Sequence, residues 1–536
     1  MVGESPMIAK LWFLLPEIIL FVAAVTVSVM GLSPNRRLRD AVPVVVCLAL
    51  GVAMVATPVI YGGERVDETL LMPWLGLYVK MLVCGVGIFL TLLSIKLIDR
   101  RMEEAITMGQ TKFDPLRVNR GEFFAFMLLS LIGIMLCSTA NDLIWLFLAL
   151  ELTSLPTYIM VAMSRMRRMG QEAAMKYFFL GAMSTAVLLY GFALLYGSAG
   201  TIILTEMVDV FAAQAADGGI NTLGLVGMIL VVLGLAFKLA AAPMHFYAAD
   251  VYEGAASPVT AFLAFAPKAA GVLSLILVLA TMGWSGHYDY DQPGLPQPVL
   301  IVLWMVAVLT MTLGNIGALL QRSAKRVLAY SSIAHSGYLL IGVIAGPEFF
   351  GVQAVLFYLL AYGVMNTAAF GVLAALERRG TEIESMDDLV GLRHRHPAMA
   401  VVMAVAALSL IGLPPLLGFW GKLYLFIAGI EAGHVPLIII AAINSAISAW
   451  YYLKLAGLPT LFDPTPQTET IENRPTIWPR VSAVALAVLI VVLPLPYLIG
   501  QIESLIARSA EIEVVERDAS GHHGDAAARD KLARRD

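Results

Sequence analysis

An all-α polytopic membrane protein is the fold class that three features of this sequence predict. Of its 536 residues, 59% are hydrophobic and only 14% are Asp, Glu, Lys or Arg, against roughly 25% charged residues in an average soluble domain. Apolar runs of about 20 residues recur along the whole chain, the length that a hydrocarbon core roughly 30 Å thick demands. Basic loops alternate with acidic or neutral ones between these runs. Together they predict about fourteen transmembrane helices. Interrupted apolar runs at the seventh and twelfth places add two inverted five-helix repeats, helices 4–8 and 9–13, with helices 7 and 12 broken.

Taken in order, the helices fall at about 11–31, 41–61, 74–97, 122–138, 141–162, 171–197, 222–243, 257–283, 298–321, 325–346, 351–377, 398–430, 435–456 and 480–502. The first follows a single Lys10 and has no small-residue cleavage site, so it reads as a retained helix rather than a signal peptide. The chain then divides into an N-terminal three-helix segment with its loop (1–121), a first repeat (122–283), a second repeat (298–456), a last helix (480–502) and a charged, solvated tail (503–536). His522-His523 in that tail is a metal-ligand candidate only if the tail is structured. Cys47, Cys84 and Cys137 all lie inside apolar runs and read as small core residues. The net charge of −4 points to no nucleic-acid partner.

Orientation follows from the basic residues. Arg36, Arg37 and Arg39 follow the first helix, and Lys96, Arg100, Arg101, Lys112, Arg117 and Arg120 the third. Arg165, Arg167 and Arg168 follow the fifth, Arg322, Lys325 and Arg326 the ninth, and Arg378, Arg379, Arg393 and Arg395 the eleventh. The positive-inside rule places these loops in the cytoplasm and both termini on the other side.

Breakers interrupt two helices in mid-membrane. The seventh reads Gly234-Leu-Ala-Phe-Lys238-Leu-Ala-Ala-Ala-Pro243-Met-His245, and the twelfth Leu410-Ile-Gly-Leu-Pro414-Pro415-Leu-Leu-Gly418-Phe-Trp-Gly421-Lys422. Proline removes a backbone donor, and lipid tolerates the loss only where a helix borders a cavity or packs inside protein. An offset of five helices inverts one half relative to the other, the pattern of inverted-repeat transporters; two unrelated proline kinks are the alternative.

Four ionisable residues lie deep in apolar runs: Glu151 near the centre of helix five, Lys238, Lys268 in Ala266-Pro267-Lys268-Ala269, and Lys422. Each costs roughly 2.5–3.5 kcal/mol to insert, and such residues mark ion or proton paths unless they are static helix-holding ion pairs. Lysine suits proton relay because burial disfavours its charged form and a nearby carboxylate restores it. Glu151 is therefore expected to pair with Lys238, with Lys238, Lys268 and Lys422 in a row. Lys176 extends the relay or snorkels; Lys80 is expected to snorkel. His245, followed by Asp250 and Glu253, gates proton entry or belongs to an ordinary polar loop. His335, in Ser331-Ser332-Ile-Ala-His335-Ser336, shuttles protons or is held by a neighbouring hydroxyl. No cysteine cluster, nucleotide loop or haem-spaced histidine pair suggests redox chemistry in this chain.

Several motifs resemble a known family. Glu151-Leu-Thr-Ser-Leu-Pro156-Thr-Tyr158, Lys238 with Pro243-Met-His245, Asp250-Val-Tyr-Glu-Gly254-Ala, Ser257-Pro-Val-Thr-Ala-Phe leading to Pro267-Lys268, Ala329-Tyr-Ser-Ser-Ile-Ala-His335-Ser-Gly-Tyr and Gly418-Phe-Trp-Gly-Lys422 look like those of the antiporter-like membrane subunits of proton-pumping NADH:quinone oxidoreductase, respiratory complex I. The likeness covers about residues 10–500. The helix-five stretch, and Lys176-Tyr-Phe-Phe-Leu-Gly-Ala with Tyr190-Gly and Gly200-Thr201, look most like subunit N.

That resemblance implies a bacterial inner-membrane subunit driven by quinone reduction elsewhere. NADH, FMN, iron–sulfur clusters and quinone would belong to partner subunits, and other membrane-arm subunits would be its neighbours. Glu151 and Lys238 would form the charge pair of one half-channel, Lys268 the central relay, Lys422 the link to the other half-channel, and His335 would lie on the path. The chain departs from the family pattern Pro-Phe-His-x-Trp-x-Pro-Asp with Pro243-Met-His-Phe-Tyr-Ala-Ala-Asp250, and a further family proline is Ala256. These changes touch loop geometry and leave every titratable position in place. A cation/proton antiporter subunit of the related fold is the alternative function.

Overall fold

In the computed structural model, residues 12–62, 70–165, 168–284, 295–378, 380–474 and 476–510 are described. The expectations for Lys10, Arg167 and Arg379 and for the tail beyond 510 with its histidine pair lie outside these segments. Helices open where the sequence supplies caps. Asn35, Asp142, Asn221 and Ser323 each accept a first-turn backbone N–H. Proline in the first turn starts others, as at Pro258, Pro397 and Pro479.

The first spans are α1 (Leu15–Gly31), α2 (Arg36–Tyr61) and α3 (Leu75–Ser94). A short α4 (Arg100–Thr107) sits within the predicted 98–121 connection, anchored where Arg39 on α2 holds Glu103 at 2.7 Å. Then come α5 (Arg120–Cys137), α6 (Leu143–Ser164) and α7 (Arg168–Ala199). The acidic stretch after α7 is itself helical, α8 (Leu204–Ala216). The seventh span is α9 (Thr222–Lys238) with a short α10 (Ala248–Gly254) beyond its break. It is followed by α11 (Ser257–Leu279), α12 (Gln297–Leu319), α13 (Ala324–Ala345) and α14 (Gly351–Ala375). The twelfth span is α15 (Pro397–Ile411) and α16 (Leu417–Glu431); α17 (Val435–Leu461), α18 (Trp478–Val492) and α19 (Pro496–Ser509) complete the chain.

Among the described residues ten helices are long and apolar enough to cross a membrane, and the α18–α19 pair makes an eleventh if it counts as one span. With the three shorter apolar helices α1, α9 and α15 they fill the fourteen predicted places in order. The last helix is corrected: the chain bends by 91° between α18 and α19 and stays helical to Ser509, where a solvated tail was expected from 503. Leu495-Pro496 explains the bend, because proline cannot continue the hydrogen-bond ladder of the helix before it.

Position in the bundle separates two kinds of helix. Every residue of α11 is buried, and α13 and α14 are nearly so, whereas α2 and α7 turn broad apolar faces outward. Lys268 and His335 therefore lie on the innermost helices. Lys80 is corrected too. It is fully buried, and its Nζ meets Glu17 at 2.9 Å and the Phe13 carbonyl at 2.6 Å instead of reaching the interface. A buried ammonium needs its partners in place, and α1 brings them.

At one end of the bundle a small antiparallel sheet runs in the order β2 (Thr381–Glu382), β1 (Leu376–Arg378), β3 (Ile471–Asn473), joining the connection after α14 to the approach to α18. Glu382 is its electrostatic centre. Its carboxylate meets Arg165 at 2.6 Å, Lys325 at 3.2 Å and Arg474 at 3.0 Å, and accepts the Ser257 backbone N–H at 2.9 Å. Burial alone would push this carboxyl up; Lys325, Arg474 and Arg165 overcome it and hold it well below the usual carboxylate range.

Candidate functional site

Each interrupted span places a lysine at its break. Lys238 is the last residue of α9, and the chain beyond it leaves helical geometry at Ala240, whose φ is 53°. Freed backbone groups find partners: the Ala242 N–H donates to Thr310 Oγ1 at 2.9 Å, and Ser336 Oγ donates to the Leu239 carbonyl. In the twelfth span, Gly412 closes α15 with φ 92°, and the Gly418 N–H donates to Ser409 Oγ at 3.0 Å. Lys422 lies past that break, but its Nζ reaches back to the carbonyl of Ile411, the last residue of α15, at 2.8 Å. The Lys422 ammonium thus sits at the negative end of α15, where the aligned peptide dipoles favour a cation, while Lys238 closes α9 and turns its ammonium to α6.

The expected pair is present. Lys238 Nζ donates to Glu151 Oε1 at 3.1 Å and to Ser154 Oγ at 2.6 Å. Thr185 Oγ1 donates to the same Glu151 oxygen at 2.8 Å. Ser154 in turn donates to the Leu150 carbonyl at 2.8 Å. The spacing of Glu151 and Ser154, one turn apart on α6, lets a single lysine touch both.

Lys268 is held differently. Its Nζ donates to the Ser332 carbonyl and to Ser332 Oγ at 2.9 Å, and lies 4.5 Å from the centre of the Tyr362 ring. Lys422 also donates to Ser445 Oγ at 3.1 Å and lies 4.9 Å from the Tyr338 ring centre. Among the described residues neither lysine has a carboxylate within ion-pair distance; carbonyls, hydroxyls and ring faces carry both. A Cβ on Gly271, one turn along α11 from Lys268, would come within 3.0 Å of Lys238 Cβ, so α11 brings the two lysines to one side of the bundle.

His335 bridges two tyrosines. Nδ1 bonds the Tyr358 hydroxyl and Nε2 the Tyr452 hydroxyl at 2.8 Å, and Tyr452 continues to Ser331 Oγ. The rings of Tyr362 and Tyr338, which carry Lys268 and Lys422, lie 5.1 and 5.9 Å from the imidazole. Lys268, His335 and Lys422 are therefore one continuous assembly. Its far edge is an amide cluster in which Asn315 meets Tyr338 at 3.3 Å, Asn444 at 3.2 Å and Tyr451 at 2.8 Å.

Two candidates stand apart from this assembly. Lys176 is 43% exposed and pairs with Glu172 at 2.8 Å and Asp250 at 2.9 Å. Arg326 joins the same surface network through Asp250 at 3.0 Å and Glu253 at 2.9 Å. His245 is buried with its ring 4.7 Å from Phe246, and among the described residues no side-chain bond links it to Asp250 or Glu253.

Residues 140–448, which hold Glu151 and all three lysines, match the family model described as NADH:quinone oxidoreductase/Mrp antiporter, transmembrane. An NADH-quinone oxidoreductase subunit N of Paramagnetospirillum magneticum is 37% identical over 451 residues, 84% of this chain and 88% of the relative. That of Rhodospirillum rubrum is 38% identical over 83% of this chain and 86% of its own. This chain belongs to the subunit N family of NADH-quinone oxidoreductase. A chain of respiratory complex I from Thermus thermophilus superposes with a TM-score of 0.73 at 30% identity, covering 92% of this chain and 100% of that one. A chain of the Mrp complex from Dietzia sp. reaches the same TM-score at 23% identity, a likeness of fold alone.

The structure pairs the expected Glu151 with Lys238 and joins Lys268, His335 and Lys422, but the tyrosines and amides around them escaped the sequence reading. Tyr358, Tyr362, Tyr452, Asn315 and Asn444 lie in apolar helices where an aromatic or amide residue looks like core. One signal was present: Tyr358 and Tyr362 are four apart on α14, and Ser331, His335 and Tyr338 recur at helical spacing on α13.

Proposed function

We propose that this chain conducts protons within the membrane arm of NADH:quinone oxidoreductase and carries no redox centre of its own. NADH, FMN, iron–sulfur clusters and quinone are then bound by other subunits, whose quinone chemistry drives it, and the other antiporter-like subunits are its neighbours in a bacterial inner membrane. Helices 4–8 and 9–13 are the two inverted units, and both termini face away from the cytoplasm. The observation that carries the reading is the Glu151–Lys238 pair at a broken half-helix, beside a lysine–histidine–lysine assembly that among the described residues holds no ion-paired carboxylate.

With Glu151 ionised, Lys238 is stabilised as the ammonium; a change of charge or distance at Glu151 removes that support and the proton passes on. Lys268 takes it up, held by Ser332 and the Tyr362 ring. His335, with a titratable nitrogen on each side, connects Lys268 to Lys422. Tyr362 Oη, Asn366 Nδ2 and Ser274 Oγ are buried without hydrogen-bond partners among the described residues, and such atoms suit bridging water. Lys176 and His245 serve the entry side, beside the Asp250 network.

The test is proton uptake by the reconstituted complex during NADH oxidation. Glu151→Gln and Lys238→Ala are each expected to cut the protons moved per electron while the subunit still assembles. Unchanged stoichiometry in both sinks the reading. An antiporter would instead require sodium for transport.

A further inference from the structure

The proton-conducting reading leaves out a groove between α15 and α18. The two helices begin side by side, at Pro397 and Trp478, and line two adjoining hollows of about 560 and 540 Å³. Pro397, Ala398 and Val484 border both hollows, so the groove is continuous.

Its chemistry changes along its length. Arg395, His396, Asn473 and Arg480 surround the mouth, and no carboxylate lines it. Neither arginine has an ion-pair partner among the described residues; Arg395 Nη1 donates to the Glu469 carbonyl, and Arg480 Nε is buried with no hydrogen-bond partner. Burial lowers the pKa of His396 and the two guanidinium charges lower it further, against the hydrogen bond to the Ile471 carbonyl. Two positive groups therefore converge there without compensation. Both helices also point their N-termini at the mouth, and these positive dipole ends and free N–H groups favour an anion. Deeper in, the walls are aliphatic: Val401, Val405, Val484, Val488 and Val491. Val401 is 58% exposed and Val488 54%, so the groove opens sideways toward lipid.

We propose that this groove binds an anionic phospholipid, with its phosphate between Arg395 and Arg480 and an acyl chain along the valines. A zwitterionic lipid would bring an ammonium to a mouth that offers it no carboxylate. A helix of a neighbouring subunit would fill the valine wall but leave both arginines unpaired unless it brought an acid. The mouth lies on the face that carries the basic loops, where anionic headgroups are attracted to basic pockets between helices. The bound lipid would brace α15, whose last carbonyl holds Lys422.

The test uses the whole purified complex in phosphatidylcholine vesicles. These contain a small fraction of phosphatidylglycerol with a photoactivatable diazirine on its acyl chain, or phosphatidylcholine carrying the same group. After irradiation, labelled peptides are mapped by mass spectrometry. The phosphatidylglycerol probe is expected to label residues 401–405 and 484–491 about twenty-five-fold more than the phosphatidylcholine probe, roughly a factor of five for each arginine. Arg395→Gln with Arg480→Gln should remove that preference. Val484→Trp keeps both arginines, fills the groove from its lipid side and should remove the label itself, which holds the test open if the arginine variant fails to assemble. Equal labelling by the two probes, or a preference that survives in the arginine variant, overturns the proposal. So does protection of these peptides from both probes by another subunit.

Discussion

Lys238 and Lys422 both lie at the break of an interrupted span, Lys238 as the last residue of α9 and Lys422 past the break with its Nζ on the last carbonyl of α15, yet they are held by different chemistry. Lys238 has a carboxylate partner in Glu151 at 3.1 Å. Lys422 has a carbonyl, a hydroxyl and a ring face. Lys268, between them, resembles Lys422. In the first region a charge on one side chain decides whether its partner stays charged. In the second the surroundings are polar but neutral, so the charge of each lysine is free to answer to the others. The same residue type thus serves as a tuned member of a pair and as an untethered relay.

The largest effect should follow from breaking the pair. Lys238→Met leaves the half-buried Glu151 with the Thr185 hydroxyl but without its cation, a loss below the about 3–5 kcal/mol of a fully buried orphaned charge, along with proton transfer through this half. Glu151→Gln with Lys238→Met should recover most of the stability and none of the proton transfer. Thermal unfolding of the assembled complex and proton uptake separate the two. Equal instability in the single and double variants would show that the pair is not the source.

Lys268→Met should look quite different. No carboxylate is orphaned, and the cost of holding a buried ammonium disappears, so assembly and unfolding temperature are expected to hold or improve. Proton transfer should fall about a hundredfold, the scale of losing one positioned proton-transfer group. A variant that pumps normally would remove Lys268 from the path.

How far these positions were legible in the sequence follows from the same contrast. A lysine or glutamate isolated in an apolar run is conspicuous, because the insertion cost singles it out. The breaks were equally plain at Pro243 and at Pro414-Pro415. What holds a lysine was hidden, because Tyr362 and Tyr338 become its partners only when α14 and α13 pack beside α11 and α16. Lys80 shows the limit. Near the end of an apolar run it looks like a residue that reaches for the interface, and only the packing of α1 brings Glu17 to it. Glu382, which pairs with three cations, sits in a stretch that reads as an ordinary polar loop.

Glu382 offers a control away from the lysine row. Glu382→Gln should weaken the join of β2 to Arg165, Lys325 and Arg474 and lower the yield of assembled complex, while protons moved per electron in what assembles stay unchanged. Its pH signature has a definite sign. The folded carboxyl lies below the 4.5 of a free glutamate. Its contribution is therefore complete above that value and is lost as pH falls below it toward the folded pKa. Unfolding followed from pH 7 to pH 3 should show that the wild type loses stability below about 4.5 and that Glu382→Gln lacks this component. Identical acid sensitivity would place the titrating group elsewhere.

The smallest effect probes the neutral region directly. Tyr338→Phe removes a hydroxyl that accepts from Asn315 at 3.3 Å but keeps the ring 4.9 Å from Lys422 Nζ. If the ring face is what supports the ammonium, stability and proton uptake should change by less than about 1 kcal/mol, the scale of one neutral hydrogen bond. Tyr338→Leu keeps the apolar bulk and loses the ring, and should cost about 0.5–2 kcal/mol more. The reverse order, with Phe worse than Leu, would assign the support to the Asn315 network. Lys422 would then depend on hydrogen bonds, as Lys238 does, and the distinction between the two regions would narrow to the carboxylate alone.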